Sequence, residues 1–281
     1  MRTLAASAPT LAALLTSSPP SSSSRLRHNG APLSAGCTRP PPTLARALPA
    51  AIMAAATPPA AAGKLECVLF DIDNTLANST TLAFGATNKV LELAGYPAIS
   101  MAQYLEGTKH TTPRRLAWHA TGDVEAAVGE ELGAQFDDLY IGMVSPETAG
   151  FYPGLLLLVE EIAASHRVGA LSNACGRYVR EVLSANGVSP LFAVQLGADE
   201  VPAAKPSPAG LRQCCEAMGL GPEACVYVGD APSDGLAARA AGMRSVGVSW
   251  GAHSREQLEP AFDALVDTPA ELRLALKGDM Q

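Results

Sequence analysis

Six short runs of continuous apolar residues recur along the chain, at residues 67–70, 168–171, 192–196, 225–228, 245–248 and, more weakly, 264–266. A strand covered on one face alternates apolar and polar side chains. A strand covered on both faces does not, so a run such as Cys67-Val68-Leu69-Phe70 predicts a parallel sheet sandwiched between helices. Helical segments fall between the runs, at 154–165, 177–185, 208–218 and 234–241. The last meets Gly242, a residue suited to the left-handed position that ends a helix. Alternating β and α units make the fold class α/β. The rhythm breaks once, over residues 79–150, where no convincing strand appears. There Thr112-Pro113 reads as an N-cap followed by Pro at the first helical position. Val124, Val128, Leu132, Phe136 and Leu139 recur at helical spacing. The predicted organisation is a body of residues 64–78 and 151–281, with a small helical domain inserted at 79–150 and Trp118 in that domain's core.

Charge divides the chain differently. Residues 1–60 hold Arg2, Arg25, Arg27, Arg39 and Arg46, no Lys and no acid, in a Ser-, Ala- and Pro-rich background. That composition predicts a disordered organelle transit peptide, with chloroplast as the first choice. A mitochondrial address, a plain low-complexity tail, a secretory signal around Leu11 to Leu15, and a cytoplasmic form started at Met53 are the alternatives. The rest of the chain carries 15 basic against 27 acidic side chains, a net of −12. Such a body lacks the basic footprint that nucleic acid requires. No apolar run approaches the ~20 residues that span a bilayer. The six cysteines contain no C-x-x-C pair, so scattered reduced thiols are expected in place of disulfides or a zinc site.

Four polar groups fall beyond the C-terminal ends of four successive predicted strands, where open parallel sheets bind ligands. Asp71-Ile72-Asp73-Asn74-Thr75 brings two carboxylates two residues apart, one able to act as nucleophile and metal ligand, the other as general acid and base. Ser172-Asn173 offers a hydroxyl and an amide to phosphoryl oxygens. Lys205, in Ala204-Lys205-Pro206-Ser207-Pro208, can neutralise a phosphate and a carboxylate together. Gly229-Asp230, with Asp234 four residues on, can complete a site of hard oxygen ligands, which favours Mg²⁺. Taken singly, each is as readily a turn, a cap or a surface charge. Together they fit phosphoryl transfer, in which a carboxylate approaching a phosphate dianion needs cations to cancel the repulsion, and a poor leaving group needs a proton.

The set Asp71-x-Asp73-x-Thr75, Ser172-Asn173, Lys205-Pro206 and Gly229-Asp230-x-x-x-Asp234 resembles the four motifs of the haloacid dehalogenase superfamily over residues 65–281. The insert at 79–150 is similar to that family's first type of helical cap. Phe151-Tyr152-Pro153-Gly154, Ala237-Ala238-x-Ala240-Ala241-Gly242 and Ser245-Val246-Gly247-Val248 resemble its phosphoglycolate phosphatase group. The resemblance implies a Rossmann-like core and a Mg²⁺-dependent phosphatase acting on a small phosphorylated metabolite. It implies Asp71 as nucleophile and Asp73 as acid and base. Asp71, the backbone carbonyl of Asp73, Asp230 and Asp234 would form the metal site, with Asp234 orienting Lys205 or a metal-bound water. Thr75, Ser172, Asn173 and Lys205 would hold the phosphoryl group. Asn74 departs from the commoner Gly, and Ala231 from the commoner Ser.

Gly107 to Arg115 is the basic spot of an acidic body. Arg114 and Arg115 fall in the first turn of a predicted helix, where the macrodipole disfavours cations by about 0.3–1 kcal/mol. Lys109, Arg114 or Arg115 is therefore a candidate contact for a substrate carboxylate or second anion, a solvated helix start being the alternative. His110 and His119 read as surface residues. The substrate class stays open between 2-phosphoglycolate or a similar acid and a nucleotide or sugar phosphate, the latter including a phosphomutase. A non-catalytic binding protein on the same fold is the third reading. Oligomeric state is not legible.

Overall fold

The computed structural model describes residues 64–280. The targeting segment expected over residues 1–60, Met53 and Cys37 lie outside the described residues. Six strands form one all-parallel sheet: β1 (Cys67–Phe70), β2 (Arg167–Leu171), β3 (Phe192–Leu196), β4 (Cys225–Gly229), β5 (Arg244–Val248) and β6 (Ala264–Val266). Their order is β3-β2-β1-β4-β5-β6, with β1 central between β2 and β4. All six predicted runs are strands, displaced by at most one residue at an end.

Successive side chains of a strand point to opposite faces, and β1 divides its four accordingly. Val68 and Phe70 pack with α5 (Leu155–Ala163), α6 (Gly176–Ala185) and the C-terminal helix (Pro269–Met280), through Leu158, Val182 and Leu276 among others. Cys67 and Leu69 pack on the other face with α7 (Ala209–Ala217) and α8 (Pro232–Ala241), through Leu211, Cys214 and Ala237. All four β1 residues are fully buried. Each large apolar side chain so covered contributes about 1.5–3 kcal/mol, which explains a strand with no polar face.

Between β1 and α5 lie four helices: α1 (Thr80–Leu93), α2 (Met101–Gly107), α3 (Thr112–Thr121) and α4 (Val128–Gly142). Leu132, Phe136 and Tyr140 form the buried stripe of α4, whereas Val124 precedes the helix. The N-cap of α3 is Thr111, one residue earlier than the sequence suggests, with Pro113 in its first turn. Trp118 is only partly buried. Its ring lies tilted against that of His119 (4.9 Å between centroids, planes at 48°) and carries Lys109 over its face (5.7 Å), so it sits in a partly exposed cluster and not in the core. Among the described residues no helix is long and apolar enough to cross a membrane. Cys67, Cys175, Cys214, Cys215 and Cys225 are all free thiols.

Candidate active site

The sheet order reverses direction about β1, so the C-terminal ends of β2, β1 and β4 open side by side, and a crevice forms there. Asp71 leaves β1 with its N–H still donating to the Val228 carbonyl (2.9 Å), and Ser172 leaves β2 donating to Leu196 (3.1 Å). Asp230 leaves β4 directly. Lys205 arrives less directly, on the loop between β3 and α7. Asn173 fixes that loop: its amide oxygen accepts from the Lys205 N–H (3.0 Å) and its amide nitrogen donates to the Lys205 carbonyl (3.1 Å). The Lys205-Pro206 bond is cis.

Lys205 is the electrostatic hub. Its Nζ forms an ion pair with Asp234 Oδ1 (2.7 Å) and donates to Asp71 Oδ1 (2.9 Å), the Tyr227 hydroxyl (2.7 Å) and, at longer range, the Leu171 carbonyl (3.3 Å). Tyr227 in turn donates to the Leu171 carbonyl (2.7 Å). Burial alone would lower the proton affinity of Lys205, but Asp234 and Asp71 outweigh it and hold the ammonium above the usual lysine range. Asp71 goes the other way. Burial pushes its carboxyl well up, Lys205 opposes this, and Asp234, Asp230 and Asp73 add to it. Burial raises Asp230 as well, with His253, whose Nδ1 stands 4.0 Å away, opposing. Asp71, Asp230 and Asp234 are thus three buried carboxylates with ligand atoms within 4.8 Å of one another, with Lys205 paired to Asp71 and Asp234 and only His253 beside Asp230. That surplus of negative charge on hard oxygen donors fits a divalent cation of the Mg²⁺ type.

Two further details explain local sequence. Asn74 has φ +58°, a left-handed backbone that Gly and Asn tolerate best, and its side chain accepts from the Thr80 hydroxyl. Asn is therefore a sound substitute for Gly there. A Cβ on Gly229 would come within 2.4 Å of Asp234 Oδ2, so the glycine makes room for the carboxylate that holds Lys205. Asp234 Oδ2 also accepts from the Ala231 N–H (3.0 Å), securing the start of α8 without help from the Ala231 side chain.

Asp73 is held quite differently from Asp71. Its Oδ1 accepts from Ser79 Oγ (2.5 Å) and the Tyr178 hydroxyl (2.6 Å), with Tyr140 Oη 3.3 Å away. Neither Ser79 nor the two tyrosines carries a signal in the sequence.

A cavity of about 100 Å³ joins these groups: Asp71, Asp73, Ser172, Asn173, Lys205, Asp230 and Asp234 line one side, and Tyr104, His110, Arg115 and Phe136 the other. At ~10–15 Å³ per water centre, that space suits one small molecule. Thr75 does not line it. The Thr75 hydroxyl points at Asp230 Oδ1 (3.4 Å), so it supports a carboxylate and does not face the cavity. Of the three basic candidates only Arg115 reaches the cavity. Arg114 is exposed and paired with Glu125, and Lys109 is exposed beside Glu106 (3.8 Å). His119 is pushed down to about 4 by burial and by Arg115, and stays neutral.

The comparisons with known proteins agree with this geometry. The model of the haloacid dehalogenase-like hydrolase family matches residues 68–248, well over half of the chain. The chain belongs to the haloacid dehalogenase-like hydrolases. Within that family it is similar to the phosphoglycolate phosphatase of Xanthomonas campestris pv. campestris (31% identical over 208 residues, 73% of this chain and 93% of that protein). It is also similar to the phosphoglycolate phosphatase of Xylella fastidiosa (33% over 205 residues, 72% and 89%). Among solved structures, CbbY from Rhodobacter sphaeroides in complex with phosphate superimposes with a TM-score of 0.66 at 25% identity, covering 74% of this chain and 96% of that one. A haloacid dehalogenase-like hydrolase thus has its nucleophile candidate at the end of the central strand and its helical segment facing it across the cavity.

Proposed function

We propose that this hydrolase is a Mg²⁺-dependent phosphatase of small phosphate monoesters that works through a phosphoaspartate on Asp71. One observation carries the reading: two carboxylates two residues apart face the same cavity with opposite surroundings, a buried ammonium on Asp71 and neutral hydroxyls on Asp73. Environments that differ in this way assign separate roles to chemically identical groups. An Asp71 oxygen attacks phosphorus, the ester P–O bond breaks, and Asp73 gives its proton to the departing alkoxide. Asp73 then takes a proton from the water that attacks phosphorus, and the bond to Asp71 breaks. Lys205 and the Ser172 hydroxyl hold phosphoryl oxygens; Ser172 Oγ already accepts from the Ala174 N–H (3.0 Å), which leaves its own proton to donate. Asp71, Asp230, Asp234 and the Asp73 carbonyl would hold the metal, whose charge screens the repulsion between carboxylate and phosphate dianion.

Arg115 supports a substrate with a second anion. It is 8% exposed, and its guanidinium lies 4.9 Å from the Phe136 ring and 5.3 Å from the Tyr104 ring. Among the described residues no carboxylate pairs with it, and its Nε has no hydrogen-bond partner. A buried cation backed only by aromatic rings is completed by an anion from the cavity. With relatives named phosphoglycolate phosphatases, the favoured substrate is 2-phosphoglycolate or another small phosphorylated acid. In a screen of phosphorylated metabolites, phosphate release is expected to be highest on such an acid, to stop with a chelator and to return with Mg²⁺; no release from any compound overturns the reading. Arg115→Ala is expected to lower kcat/KM on 2-phosphoglycolate by about 10- to 100-fold, the worth of one charged hydrogen bond, mostly through KM. On ethyl phosphate, which lacks the carboxylate, little should change. Equal losses on both would remove Arg115 from substrate recognition.

A further inference from the structure

Tyr140 ends α4 in the helical segment, and Tyr178 opens α6 on the sheet. Their rings stack with centroids 4.5 Å apart and planes at 22°, and their hydroxyls are 2.9 Å apart. Both are buried, at 3% and 1% exposure. Each phenol has one proton to donate. The 2.6 Å contact commits the Tyr178 proton to Asp73 Oδ1. The 2.9 Å contact must then run from Tyr140 to the Tyr178 oxygen, giving a directed chain from Tyr140 through Tyr178 to Asp73. Burial, and next the Asp73 charge, push both phenols well up, so they stay donors. Ser79 Oγ completes the set at Oδ1 (2.5 Å), and among the described residues no hydrogen bond reaches Oδ2.

We propose that Tyr178, with Tyr140 behind it, is a positioning device that pins Asp73 through Oδ1 so that Oδ2 is the oxygen that exchanges the proton, and that it ties this acid–base group to the helical segment. The inference rests on the phosphatase reading. When the ester bond breaks, the electron pair goes to the leaving oxygen and the proton on Oδ2 follows it; Oδ1, already saturated with hydroxyl donors, keeps the carboxyl from turning away. A pinned geometry matters because a proton must be delivered within hydrogen-bond reach, and an ångström of misplacement can cost about 100-fold.

The test compares two substrates that differ in their need for a proton. Single-turnover transfer of labelled phosphate to Asp71 is measured in the full chain with Mg²⁺, from 2-phosphoglycolate, whose alkoxide must be protonated, and from acetyl phosphate, whose carboxylate leaves without help. Tyr178→Phe is expected to slow transfer from 2-phosphoglycolate by about 10- to 100-fold and from acetyl phosphate by less than about threefold, with KM little changed. Tyr140→Phe should give the same pattern more weakly. Equal slowing on both substrates, or none on either, overturns the proposal. Failure of the wild-type chain to take label from either compound fails the phosphatase reading instead. The crystal structure of Tyr178→Phe then decides the positioning role: an Asp73 carboxylate in its wild-type orientation overturns it, and a displaced one supports it.

Discussion

Replacing Asp71 by Asn is expected to abolish phosphate release and, at the same time, to raise the melting temperature of the metal-free protein. The first effect follows from the loss of the attacking oxygen's charge, a loss of at least about 10⁴-fold by analogy with other removed nucleophiles. The second follows from the surplus of negative charge. Asp71 and Asp234 share Lys205, Asp230 close by has only His253 at 4.0 Å, and Asn keeps an oxygen for Lys205 Nζ while removing one buried charge. Because the folded carboxyl titrates above its unfolded value, its ionisation costs stability once the pH exceeds that value, and the full cost is present above the folded one. The variant's advantage should therefore appear at neutral pH, as a rise of a few degrees, and fade below about pH 4. Saturating Mg²⁺ should narrow it, since the wild type gains more from the cation. Calorimetry against pH with and without Mg²⁺, beside a phosphate assay, separates the two effects. Unchanged activity in the variant sinks the mechanism; a lower melting temperature sinks the charge argument.

Lys205→Met is expected to have the opposite stability effect and a similar loss of activity. The side chain is buried and holds Asp71 and Asp234 together. Removing one partner from a buried ion pair costs about 3–5 kcal/mol because the charges left behind are unpaired, or about 6–20 °C in a domain of this size. Activity should fall by at least about 10³-fold, as phosphate and nucleophile lose their shared cation. The double variant Asp71→Asn/Lys205→Met should recover part of the lost stability and none of the activity, since residues in contact do not act additively. If the double variant melts at the sum of the single effects, Asp71 and Lys205 are not coupled.

The strands were legible because doubly covered strands write themselves as unbroken apolar runs. The site's charged residues were legible because each lies just past such a run or on the loop that follows it. What the sequence hid was convergence. Tyr178 and Tyr140 meet Asp73 across 105 and 67 residues, and nothing near either tyrosine marks it as more than a core aromatic. Tyr227 was half visible: a phenol inside the β4 run, two residues before Gly229, is out of place in an apolar strand unless its hydroxyl has work, and it holds Lys205. Arg114 and Arg115 could not be separated by composition. Neighbouring helix positions point about 100° apart, which sends Arg115 into the cavity and Arg114 out to Glu125.

The position of β1 has a consequence for synthesis. Of the six strands it is the first made, yet it lies at the centre, and its register partners for Cys67 are Arg167 in β2 and Cys225 in β4. At roughly 5–20 residues per second, β4 is translated on the order of ten to thirty seconds after β1. Throughout that interval Cys67-Val68-Leu69-Phe70 has no partner on at least one edge, and the carboxylates of Asp71 and Asp73 are held out beside it. The nascent chain therefore carries this apolar run with one edge unpaired until β4 emerges, and among the described residues the cover made before then is the four helices that follow β1, then α5, β2, α6, β3 and α7.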